Sequence, residues 1–225
     1  MEIKRDLYLK KLINRQHNGM IKVITGMRRC GKSYLLFNIF QNYLKTQGVD
    51  NQHIIQVNLE NRRNKKLRNP DVLLEYIDSQ MTDNQIYYIL LDEVQLVDEF
   101  EDVLNSYLSI PNADVYVTGS NAKFLSKDVI TEFRGRGDEV KMYPLSFAEY
   151  MSVFKGSNQL GLDEYMMYGG LPQTLFQKSE EQKISYLKNL FTETYIKDIK
   201  ERYKIRHEEE LEELLNIIKA ECQRA

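Results

Sequence analysis

Hydrophobic and polar positions alternate between two rhythms along the first two thirds of the chain. Short, nearly continuous apolar runs at 20–25, 54–59, 86–91 and 114–118 predict buried strands, and 139–143 predicts one more. Between them the apolar spacing turns helical. It predicts helices over 6–15, over 33–46 (with Leu35, Leu36, Ile39, Phe40, Tyr43 and Leu44 on one side), over 70–81, over 99–108 and over 147–154. Pro70 stands where a first-turn proline belongs. Strands that are apolar throughout, separated by helices, imply a parallel sheet covered on both faces, so the expected class is α/β, a three-layer sandwich with five strands before about residue 145.

After Gly156 the strand rhythm stops. A helix is expected over 163–168, then a break at Gly169-Gly170-Leu171-Pro172, a long amphipathic run over 180–203 and an acidic helix from near Glu208. The expected domain division is therefore 1–155 as the α/β core and 156–225 as a small all-helical lid with the start of a truncated C-terminal region. Leu211, Leu214, Leu215 and Ile218 form a helical stripe that calls for a covering surface, and the chain stops within that pattern without a Gly or Asn cap.

Composition narrows the function classes. With 225 residues, 42% hydrophobic and 28% charged, the chain is an ordinary globular one and wholesale disorder is excluded. A net charge of −2 excludes a globally basic nucleic-acid binder, although five cations at Arg62, Arg63, Lys65, Lys66 and Arg68 make a local patch that reads first as a solvated loop and second as a nucleic-acid contact with little aromatic interleaving. The charged start Met1-Glu2-Ile3-Lys4-Arg5-Asp6 lacks a secretory signal and no run spans a bilayer, so the expected setting is cytoplasmic with no membrane partner. Two cysteines and three scattered histidines offer neither a disulfide framework nor a zinc site.

The chemistry concentrates in a few short segments. Gly26-Met27-Arg28-Arg29-Cys30-Gly31-Lys32-Ser33 fits the spacing Gly-x-x-x-x-Gly-Lys-Ser/Thr, between an expected strand and an expected helix. Such a loop curls backbone N–H groups around phosphate oxygens at a helix N-terminus, Lys32 reaches the terminal phosphates and Ser33 ligates Mg²⁺. Tyr34 completes the nucleotide-contacting set. Cys30 is expected to contribute its backbone rather than a redox-active thiol. The third strand runs into Asp92-Glu93. Asp92 is the candidate Mg²⁺ carboxylate and Glu93 the candidate group that polarises an attacking water, which favours hydrolysis over transfer to a substrate hydroxyl. At the polar end of the fourth strand, Ser120, or else Asn121, is expected near the γ-phosphate. Arg134-Gly135-Arg136-Gly137 exposes two guanidinium groups, either of which suits an arginine finger acting in trans from a second copy.

Taken together, Gly26 to Ser33, Leu91-Asp92-Glu93, Thr118-Gly119-Ser120 and Arg134-Gly135-Arg136 resemble the AAA-type P-loop ATPases. More narrowly, Leu91 to Gln95, Gly135-Arg136, Pro144 to Phe147 and Tyr168 to Pro172 are similar to a large prokaryotic family known only as ATP-binding proteins. That resemblance implies sheet order 5-1-4-3-2, a helical lid, and Pro172 packed near the adenine. It also implies a C-terminal winged helix and a nuclease-like domain of unknown function in longer members, where this chain departs from them. The expected function is Mg²⁺-dependent ATP hydrolysis coupled to conformational change or partner regulation, the client being a protein or nucleic acid that the sequence does not identify. The alternative is a nucleotide-regulated binding or assembly module with negligible hydrolysis, with association to nucleic acid left open.

Overall fold

A computed structural model describes residues 3–119, 133, 135–196, 200 and 208–222. The described residues fall into two compact units, 1–178 and 179–225. In the first, five parallel strands, β1 (Ile21–Thr25), β2 (Ile54–Asn58), β3 (Tyr87–Asp92), β4 (Ala113–Gly119) and β5 (Gly137–Lys141), form one sheet in the order β2-β3-β4-β1-β5. This is the P-loop NTPase sheet expected above.

Because side chains alternate across a strand, each strand feeds two cores. On one face Val23, Ile55, Val57, Ile89, Leu91, Val115 and Val117 pack with α3 (Pro70–Gln80) and α4 (Phe100–Tyr107) through Leu73, Ile77, Phe100 and Leu104. On the other, Ile24, Ile54, Leu90, Tyr116 and Val140 pack with α1 (Asp6–Ile13) and α2 (residues 32–46) through Leu12, Leu35, Leu36, Phe40 and Leu44. The apolar residues expected on the α2 stripe are the ones buried, Tyr43 being only partly so. The middle of α2, Leu35–Phe40, is wound as a π-helix, which no residue pattern announces.

Local chemistry explains most element ends. Asn69 caps α3 by accepting from Val72 N at 3.1 Å, with Pro70 behind it. Ser146 and Glu149 form a reciprocal capping box on α5 (Phe147–Met151). Several ends differ from expectation. α5 stops at Met151 rather than 154, and α6 runs Asn158–Tyr168 rather than from 163, because Ser157 caps it by accepting from Leu160 N at 3.3 Å. β5 begins and ends two residues early, because its ladder is set by β1, from Ile21 opposite Gly137 to Thr25 opposite Lys141. The basic segment expected as a loop is a 3₁₀ helix, Arg62–Arg68.

The first unit also holds the turn at residues 169–172, where Leu145 N donates to Gly170 O at 2.7 Å and Tyr165 Oη to Leu145 O at 2.8 Å. In the second unit, α7 (Glu180–Asn189) continues as a π-helical segment, Leu190–Ile196, and α8 spans Glu208–Cys222. The expected helical run over 180–203 thus agrees as far as Ile196, and 197–199 and 201–203 lie outside the described residues. On α8, Leu214, Ile217 and Ile218 are exposed, while Leu211 and Leu215 are half-buried.

Candidate functional site

The carboxyl ends of β1, β3 and β4 meet at one edge of the sheet, where open α/β sheets place their ligands. The loop following β1 requires glycine at two points. Gly26 has φ 146°, and a Cβ there would lie 2.2 Å from Met142 O, so the chain passes against the residue after β5 with no room for a side chain. Gly31 has φ 102° and opens α2 from the left-handed region. Arg29, also left-handed at φ 67°, completes the reversal of the loop.

Lys32 is buried and folds back on its own loop, its Nζ donating to Gly26 O at 2.9 Å and Met27 O at 3.0 Å. Met27 and Arg28 are half-buried, and Arg29 and Tyr34 are exposed. Cys30 is fully buried among the α2 core residues. Burial pushes its thiol up, against the lowering effect of the Lys32 and Arg5 charges, so the thiolate a redox switch needs is disfavoured.

Asp92 ends β3 at 1% exposure. Its carboxylate accepts from Thr118 Oγ1 at 2.5 Å, and the Ser33 hydroxyl lies near enough to act on its titration. Burial raises its carboxyl above the ordinary 3.8, the Thr118 bond and the Ser33 hydroxyl pull it down, and the charges of Glu93 and Glu60 raise it further. Glu93 follows in the left-handed region at φ 56°, ψ 49°. A non-glycine residue held there costs about 1–2 kcal/mol. Glu93 N donates to Thr118 Oγ1 at 3.0 Å, and Gln95 Nε2 donates to Glu93 Oε2 at 2.5 Å.

Thr118 and Gln95 are the residues whose roles the sequence did not reveal. Thr118 is fully buried at the end of β4, and its single hydroxyl joins the two carboxylate-bearing residues. The signal existed, since a threonine one residue before the strand-ending glycine faces Asp92 once β4 is known to neighbour β3.

The remaining candidates divide. Pro172 lies over the loop, its Cγ 4.0 Å from where a Cβ on Gly31 would stand. Ser120, Asn121 and Arg134 lie outside the described residues. Arg136 is exposed, and its carbonyl accepts from Ile21 N at 3.0 Å. That puts its backbone at the amino edge of the sheet, opposite the loop of its own chain, and Arg136 is not brought to the other site residues. Among the described residues no cluster of three or more His, Cys, Asp or Glu forms a protein-only metal site, and no helix is long and apolar enough to cross a membrane.

A five-stranded parallel sheet of this order, with a glycine-framed loop after β1 and a buried carboxylate ending β3, defines a P-loop NTPase fold. The chain belongs to the AAA domain family, whose sequence model matches residues 18–151, more than half of it. With that family it carries a nucleotide-binding domain. A second family, a domain of unknown function, matches residues 159–224. An uncharacterized protein of Haemophilus influenzae is 34% identical over 206 residues, covering 89% of this chain and 51% of that protein. Another, from Methanocaldococcus jannaschii, is 29% identical over 228 residues, covering 96% and 49%. The chain thus spans about half the length of these curated relatives. Among solved structures, the Aeropyrum pernix ORC1 protein in complex with DNA aligns with TM-score 0.47 and 13% identity, over 73% of this chain and 50% of that one.

Proposed function

We propose that the chain binds ATP and hydrolyses it with Mg²⁺. The single observation that supports this reading best is the hydrogen-bonded series Asp92–Thr118–Glu93, which couples both acidic residues at the end of the sheet where the Ser33 hydroxyl acts on Asp92. The Gly26–Ser33 loop offers its N–H groups and the α2 N-terminus to the phosphates, and Lys32 exchanges its bonds to Gly26 O and Met27 O for phosphate oxygens. The donor set fits such a group, since the buried Lys32 Nζ, the half-buried Ser33 hydroxyl and the buried Asp92 carboxylate gather at the glycine-framed loop. Ser33 and Asp92 would hold Mg²⁺, which supplies neutralising charge to the departing diphosphate.

Glu93 orients a water and accepts its proton as the water oxygen bonds to the γ-phosphorus and the bond to the β-bridging oxygen breaks, giving ADP and phosphate. Gln95 holds the Glu93 carboxylate meanwhile. Ser120 or Asn121 contacts the γ-phosphate, and Pro172 lies beside the adenine. Arg134 or Arg136 acts in trans from a second copy, which suits an Arg136 at the sheet edge away from its own loop. In this reading residues 1–155 are the catalytic core and 156–225 the helical lid, with the client a protein or nucleic acid.

The test is phosphate release by purified protein with ATP and Mg²⁺. Glu93→Gln should still bind ATP while kcat falls about 10²–10⁴-fold. Turnover equal to that of the unaltered protein would overturn the role of Glu93.

A further inference from the structure

The 3₁₀ helix Arg62–Arg68 sorts its residues by threes. With 3.0 residues per turn, residues three apart share an edge and lie about 6 Å apart along the axis. The inner edge carries Asn64, whose Nδ2 donates to Asn58 O at 2.8 Å, and Leu67, which packs on the sheet core. Arg62 and Lys65 lie along a second edge, Arg63 and Lys66 along a third, and all four are exposed. Arg68 is the exception among the cations, its Nε and Nη2 donating to Leu59 O at 2.9 Å and Glu60 O at 3.3 Å, so it ties the segment down. Asn61 Oδ1 caps the start by accepting from Arg63 N at 3.0 Å.

Two short parallel rows of cations are thus held on a pinned turn. Among the described residues none of the four makes a salt bridge or side-chain hydrogen bond, although Glu60 and Asp71 flank the segment in sequence. The segment follows β2 directly, and Leu59 N donates to Asp92 O at 3.1 Å, so the rows stand on the carboxyl edge of the sheet beside the candidate site.

We propose that Arg62, Arg63, Lys65 and Lys66 form a binding surface for the phosphodiester backbone of nucleic acid, independent of base sequence. Repeated, unpaired cations match a repeating phosphate chain. No aromatic or apolar side chain stands between the four to stack on bases or to form the apolar centre of a protein interface. Backbone contact of this kind positions a nucleic acid without reading it.

The experiment uses the 225-residue chain and a fluorescein-labelled 20-base-pair DNA duplex, read by anisotropy without nucleotide, so that it is separate from any ATP hydrolysis. Four phosphate contacts give a salt slope of about −3.6, so the association constant should fall roughly 150-fold between 50 and 200 mM KCl. Replacing all four residues by Gln should abolish binding at 50 mM and leave ATP binding unchanged. Arg62→Lys with Arg63→Lys, which keeps the charges, should retain binding. A single strand or an RNA duplex that binds with the same loss in the Gln variant also supports the proposal. No binding at 50 mM, equal binding by the Gln variant, or equal competition by polyglutamate would overturn it.

Discussion

Thr118→Val tests the joint between the two acidic residues. Valine keeps the volume and the strand preference of threonine and removes only the hydroxyl. In the structure that hydroxyl donates to Asp92 Oδ1 at 2.5 Å and accepts from Glu93 N at 3.0 Å, at a fully buried position. Loss of a hydrogen bond to a buried carboxylate costs about 1.5–3 kcal/mol, and an orphaned N–H about 1 more, so the total is near 3 kcal/mol. For a chain of this size that lowers Tm by about 6–12 °C.

The cost depends on pH, with a definite sign. Asp92 already titrates above its ordinary 3.8 in the folded state, and the Thr118 bond is one of the forces holding it down. Without that bond the folded carboxyl rises further. Between the unfolded and folded values the folded state holds more protons, so stability falls as pH rises through that window and is fully restored only below it. Thermal unfolding of Thr118→Val and the unaltered protein, compared at pH 7.5 and pH 4.5, should show the larger deficit at pH 7.5. A deficit under about 2 °C at pH 7.5, or one that grows toward acid pH, would refute the reasoning.

Two further outcomes concern groups away from that joint. At the amino edge of the sheet, buried Asp114 pairs with buried Lys22 and accepts from Tyr116 Oη at 2.8 Å and His17 N at 3.2 Å. Asp114→Ala leaves Lys22 buried without its counterion and should cost about 3–5 kcal/mol by urea unfolding, with Lys22→Met plus Asp114→Leu regaining most of it. Burial already lowers the Lys22 ammonium against the pull of Asp114, so the single variant lowers it further, and its deficit should shrink between pH 7 and pH 10 as the unfolded lysine also loses its proton. Cys30 should react with a thiol probe at pH 7.5 only after unfolding, read by peptide mass. Labelling of the native protein as fast as in urea would contradict the buried thiol.

Much of the fold was legible because its signals are local. Continuous apolar runs marked β1 to β4 within one or two residues, Pro70 marked α3, and the positive-φ glycines of the loop sit where the motif spacing puts them. Legibility failed where partners are distant. β5 was displaced because Ile21 to Thr25 set its ladder, and the cationic segment became a 3₁₀ helix because Asn64, Leu67 and Arg68 fasten it to β2 and the core.

The sequence by itself determined the class of sheet, the loop from Gly26 to Ser33 and the acidic strand end at Asp92, since each is a pattern within a dozen residues. Only the tertiary structure decided that Thr118 binds Asp92 across 26 residues, that Gln95 folds onto Glu93, and that Arg136 stands at the edge away from its own loop. Strand neighbours and register are chosen by burying both faces of the whole sheet at once, a condition that no single segment carries.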